Sequence, residues 1–154
     1  MKKDSLEYVC MDDGTAVRYH RERKLDHGFM VPFYFIREAW KSGQVISITY
    51  GFQNGDMQYR VGRAVRRAID RSGKRNAFVC SGDMSHRLKN TGNYSFDPMG
   101  PVFDRDIEKM LRAGAWDRIV AFDLAISEPA GECALRSLQM TAGVLGEESP
   151  KVTI

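Results

Sequence analysis

Two short runs, the β-branched-rich Val45-Ile-Ser-Ile-Thr-Tyr50 and Asn76-Ala-Phe-Val-Cys80 with its apolar Ala77 to Cys80, bracket a stretch whose apolar residues return every three or four positions. Met57, Val61, Ala64, Val65, Ala68 and Ile69 fall on one face of a helix over residues 57–71, and Arg60, Arg63, Arg66, Arg67 and Asp70 on the other. The arginine row reads as a solvated face rather than a binding stripe. Gly43 and Gly51 bound the first run, Asn54-Gly55 precedes the helix and Gly73 ends it. Strand, helix and strand in that order predict a βαβ unit with parallel strands and a right-handed crossover. The expected fold is therefore α/β, an open sheet with a parallel βαβ core flanked by helices.

The rest of the chain is read around that unit. A strand is expected near Leu6–Met11, closed by the Asp12-Asp13-Gly14 turn. A helix is expected over residues 31–41, with Pro32 in its first turn and so many apolar neighbours that it should be largely buried. Residues 91–104 are turn-rich, as in a segment that shapes a site or a lid. Two short helices, 103–113 and 116–123, should break at Gly114. A last helix, Cys133 to Leu145, carries Leu135, Leu138 and Ala142 along one stripe.

With 154 residues, 43% hydrophobic and 28% charged, the chain is expected to form one domain with a real core. The net charge of +3 is slight, and the densest basic segment, Arg18 to Lys24, is interrupted by Glu22. That argues against a nucleic-acid partner. Cys10, Cys80 and Cys133 are odd in number, with no Cys-x-x-Cys pair, so reduced and buried thiols are expected. The N-terminus lacks the apolar run of a signal peptide, and no stretch reaches membrane-spanning length. A cytoplasmic chain with no membrane partner is the expectation.

Chemistry is expected where the second run breaks into Ser81-Gly82-Asp83, with His86 three residues on. In open α/β sheets ligands bind beyond the C-terminal edge of the strands. His27 in Asp-His-Gly, His86, and Glu132 in Ala-Gly-Glu-Cys each follow or adjoin a small-residue break. Two imidazoles and a carboxylate could form a 2-His-1-carboxylate iron site, or serve as acid–base groups beside a metal held by other residues. The plainer readings are that His27 neighbours a helix cap, His86 is a loop histidine and Glu132 partners a helix dipole. Spacing leaves these open. No Gly-x-Ser-x-Gly elbow, P-loop or Gly-x-Gly-x-x-Gly is present.

Four segments, Leu25-Asp-His-Gly-Phe-Met-Val-Pro-Phe-Tyr-Phe35, Ser81-Gly-Asp-Met-Ser-His-Arg-Leu88, Gly100-Pro-Val-Phe-Asp104 and Ala130-Gly-Glu-Cys-Ala-Leu-Arg-Ser137, resemble in order the class III extradiol dioxygenase B-subunit (LigB-type) family, nearest its AMMECR1- and Memo-associated members. The resemblance covers about residues 20 to 146. It implies a non-haem Fe(II) centre that opens a catechol-type aromatic substrate with O2. It also implies His86 as the acid–base histidine, His27 as the histidine contacting substrate and Glu132 as a carboxylate metal ligand, with Asp83 placed to orient His86.

The family's two metal-ligand histidines lie well upstream of the Asp-His-Gly motif. Here 26 residues precede His27, and the sole histidine among them, His20, sits in an unrelated polar run. The chain thus resembles the C-terminal part of the family fold. Three expectations follow: a second polypeptide supplies the N-terminal histidines, the gene is a fragment, or the fold persists as a non-catalytic Memo-like binding module. A metal-dependent hydrolase on the same scaffold is a further alternative, and a homo-oligomer is compatible with each. The isolated chain is expected to hold Fe(II) weakly or not at all.

Overall fold

The computed structural model describes residues 6, 13–18, 24–91, 93–148 and 150–153. Apart from Leu6, the strand expected up to Met11 lies outside the described residues, as do Cys10, His20 and most of the basic segment. The chain divides into two compact units, Met1–Ile48 and Thr49–Ile154.

The first unit contains α1 (Asp13–Arg18) and α2 (His27–Ile36). Asp26 starts α2, its carboxylate accepting the Phe29 N–H at 3.0 Å, so the helix begins four residues before the expected start and Pro32 sits inside it. None of its residues is buried. The expectation of a largely buried helix is corrected: Met30, Val31, Tyr34, Phe35 and Ile36 are exposed, and Phe29 stacks on Phe33 within the helix itself.

The second unit is built from α3 (Gly55–Ser72), α4 (Met99–Ala113), α5 (Trp116–Val120), α6 (Leu124–Ala130) and α7 (Leu135–Leu145). Asn54 caps α3 through its side-chain oxygen on the Met57 N–H at 3.0 Å, and Gly73 closes it in the left-handed conformation at φ 61°. α3 packs against α7, α4 against α6 and α5 against α7. The α3–α7 crossing is set by Gly62 and Gly143. A Cβ at Gly62 would run into the Met140 carbonyl oxygen, and one at Gly143 into the Tyr59 carbonyl oxygen. Backbone therefore meets backbone with no side chain between.

Phe103, Ile107, Ile119, Phe122, Ala130 and Leu135 form the core, with Met84, Met110, Trp116 and Leu138 around it. Burying each large apolar side chain contributes roughly 1.5–3 kcal/mol. Surface pairs such as Arg112–Glu108 contribute about 0–1 kcal/mol, so the core decides stability. Gly114 ends α4 as expected. The helix expected over 116–123 stops at Val120 instead, and Asp123 starts α6 by accepting the Ala125 N–H at 2.8 Å.

No strand occurs among the described residues. The expected open sheet with a parallel βαβ core is overturned: the helix of that unit forms, but residues 44–54 and 73–83 on either side of it are irregular. A strand persists only when a neighbour completes its hydrogen-bond ladder and one face is covered. No described segment pairs with these, and Ile46 is 80% and Val79 51% exposed. The expected burial of the thiols is also corrected, since Cys80 is exposed and Cys133 half-buried.

Candidate functional site

The segment that carries His86 has no regular structure, yet it is tied down along its length. Met84 packs on the core. Ser85 is buried: its N–H donates to Asp104 Oδ1 of α4 at 2.8 Å and its hydroxyl to the Ala130 carbonyl at the end of α6 at 2.9 Å. The Ser85 hydroxyl oxygen in turn accepts the Arg87 N–H at 3.0 Å. The buried N–H and hydroxyl of Ser85 are thereby both paired, which helps an irregular segment hold one conformation. Gly82 allows the approach to the start of α7. A Cβ there would lie 2.5 Å from Ala134 Cα and 2.8 Å from the Cys133 carbonyl oxygen.

Two further hydrogen bonds close that approach. The Asp83 N–H donates to Cys133 Sγ at 3.1 Å, and the Cys133 N–H donates to the Asp83 carbonyl at 3.1 Å. The Tyr50 hydroxyl donates to the Cys133 carbonyl, also at 3.1 Å. His86 is half-buried, stacked on Tyr94 with ring centroids 5.1 Å apart, and its Nε2 lies 3.4 Å from Asp83 Oδ2. The donor atoms of Asp83, His86 and Cys133 lie within 4.8 Å of one another.

Glu132 precedes α7 rather than lying in its first turn. Its Oε2 accepts the Leu135 N–H at 2.6 Å, so it satisfies an otherwise orphan donor at the helix start. Burial pushes its carboxyl above the usual carboxylate range, against the opposing pull of the Leu135 and Ala134 N–H groups, Arg136 and His86. Burial likewise pushes the Cys80 thiol up, although the residue as a whole is exposed. Its sulfur rests against Thr141 and Ser137 of α7, which pull the other way.

Asp83, His86 and Glu132 are thus close together in the second unit, beyond an irregular segment rather than at a strand edge. His27 is the exposed first residue of α2 in the first unit. Cys133, Tyr94, Tyr50, Ser85 and Asp104 were not singled out by sequence. Asp104 ends the Gly-Pro-Val-Phe-Asp motif and Cys133 adjoins Glu132, so the motifs themselves held that signal. A separate cavity of about 380 Å³, lined by Arg63, Arg66, Asp70, Leu145, Glu147 and Glu148, contains none of these residues. Ion pairs of Arg66 with Asp70 and Glu148, both at 2.8 Å, occupy its wall.

Residues 4–154 match the profile of a family described as the catalytic LigB subunit of aromatic ring-opening dioxygenase. The chain belongs to this family. The LigB-type chain is 35% identical over 142 residues to Protein CA_C1420 of Clostridium acetobutylicum, a match covering 92% of the chain and 30% of that protein. It is 28% identical over 139 residues to a MEMO1 family protein of Methanococcoides burtonii, covering 83% of the chain and 49% of that protein. The chain therefore spans half or less of the length of these relatives. No described helix is long and apolar enough to cross a membrane.

The iron that the family likeness implies prefers two imidazoles and one carboxylate on one face. Among the described residues of the second unit, the donors gathered here are one imidazole, one thiol and the Asp83 carboxylate, with Glu132 nearby. By themselves they do not fit that iron centre.

Proposed function

We propose that this LigB-type chain carries the proton-handling side of an extradiol ring-opening site for catechol-type aromatic substrates, with O2 as co-substrate. The observation behind this reading is the fastened segment Ser81–Arg87, which holds the His86 imidazole beside the Asp83 carboxylate in a chain of this family. With Nε2 turned toward Asp83, Nδ1 is the nitrogen for a phenolic proton. A neutral imidazole can take that proton and return it to the opened product near neutral pH. Asp83 acts as a positioning residue that favours one tautomer. Glu132 is the proposed carboxylate ligand. The imidazoles that iron needs would come from a second polypeptide.

The test is oxygen uptake with a panel of catechols after anaerobic loading with Fe(II), using the chain alone and with any upstream-encoded neighbour. His86→Gln should leave catechol binding nearly intact and lower turnover by roughly two to four orders of magnitude, the usual range for losing an acid–base group. Asp83→Asn should do less. Near-full turnover by His86→Gln would overturn the assignment.

A second reading, a Memo-like binding module without iron chemistry, draws support from the single imidazole in the group and from the MEMO1 family relative. Catechol bound with no oxygen uptake under any reconstitution would favour it.

A further inference from the structure

α2 holds no Asp, Glu, Lys or Arg, and none of its residues is buried. Its two long faces differ. Gly28, Phe29, Pro32 and Phe33 lie along one face and are half-buried. Met30, Val31, Tyr34 and Phe35 lie along the opposite face, and each is half or more exposed. A helix that is apolar all round normally has both faces covered. We propose that the exposed face is where two copies of this chain associate, with their α2 helices packed antiparallel about a twofold axis near residues 32 and 33.

The ends of the stripe point to a second copy as the occupant. Followed along the helix, the exposed face starts at His27, passes Met30, Val31, Tyr34 and Phe35, and reaches Glu38, the helical series i, i+3, i+4, i+7, i+8, i+11. Glu38 follows the end of α2 in a turn that keeps the helical path, the Trp40 N–H donating to the Ile36 carbonyl at 2.9 Å. Antiparallel pairing about the midpoint sets each His27 level with the other copy's Glu38, and the apolar side chains fill the centre from both sides. An imidazole N–H can donate to a carboxylate there. Parallel pairing would instead set Glu38 against Glu38 and align the two helix dipoles. Self-complementary ends are what a twofold contact between identical surfaces requires, and an unrelated partner gives no reason for them. Glu38 already meets Lys41 at 3.1 Å and Arg37 at 3.7 Å, but these are exposed pairs of small energy, which leaves it able to share.

The face is also ordered in advance. The Tyr34 ring meets Phe35 edge-on with centroids 5.4 Å apart, and the Arg37 guanidinium lies over it at 4.2 Å. Aromatic residues, methionine and arginine are the types enriched at the centre of protein interfaces, and side chains already held lose less freedom on binding. From His27 to Glu38 the stripe is about 17 Å long. A single helix face of that length covers less than the roughly 800 Å² per partner of a standard interface, so the association is reversible and depends on concentration. It does not rest on the ring-opening reading, since it uses none of the residues proposed for that chemistry.

The test is sedimentation velocity of the full chain over a dilution series, with circular dichroism to check folding. The parent should pass from dimer to monomer on dilution. Val31→Asp, at an exposed side chain, should weaken the dimer by at least about tenfold with helicity unchanged. His27→Glu and Glu38→Lys should each weaken it when measured alone. Mixed in equal amounts, these two variants should associate again, because each end of the mixed pair then sets a carboxylate against a basic or neutral donor. A parent that stays monomeric at every concentration would overturn the proposal, whether the face proves open or covered by the chain itself. So would a dimer that survives Val31→Asp, one lost instead with Ile46→Lys, or charge variants that fail to recombine.

Discussion

Ionising Glu132 costs free energy in the folded chain, because burial strips water from its carboxylate. Its folded pKa therefore lies above the unfolded value, and between the two the folded state binds more protons. Stability from this group is full below the ordinary carboxylate pKa, falls as pH rises through the window up to the elevated value, and is level above it. Glu132→Gln keeps an oxygen for the Leu135 N–H and removes the titration. Urea melts of parent and variant from about pH 4 to 7 should show the variant's relative stability growing as pH rises through that window. Parallel profiles would refute this account. Sequence marked Glu132, His86 and Asp83 by the small residues beside them. It could not mark Ser85 or Tyr50, whose roles come from hydrogen bonds to residues tens of positions away.

At the level of elements, periodicity carried well where each helix supplies its own hydrogen bonds. α3, α7 and the break at Gly114 stand close to where the pattern put them. The two runs expected as strands, 45–50 and 76–80, did not form them, since a strand depends on a neighbour that its own residues do not specify. The pattern also overlooked why α3 and α7 meet where they do. The contact lies at Gly62 and Gly143, not along the apolar stripe alone. Gly62→Ala tests it. In an open helical position that change would stabilise by roughly 0.5–1 kcal/mol. Here the new methyl meets the Met140 carbonyl and Gly143 Cα, so the helices must part, and a net loss of about 1–3 kcal/mol is expected by urea denaturation. A neutral or stabilising effect would show that the crossing tolerates a side chain.

Across the whole molecule, the second unit holds the core and the clustered donors, whereas α2, with His27 at its head, belongs to the first. Motif order along the sequence was enough to reveal the family, because motifs survive as local strings. It did not reveal which donors gather, because that depends on how the Ser81–Arg87 segment is fastened to α4, α6 and α7. The irregular stretch from Val45 to Tyr50 has a different consequence, one for handling the protein in concentrated solution. Six uncharged residues, all but Ser47 of high β propensity, with Val45, Ile46 and Ile48 exposed, meet the description of a segment that stacks into cross-β fibrils. A lysine in the middle of such a window acts as a gatekeeper by setting like charges against each other at every layer. Ile46→Lys should therefore lengthen the lag before thioflavin-positive aggregates form, while the melting of the second unit stays unchanged. An unaltered lag would place the nucleus of aggregation elsewhere in the chain.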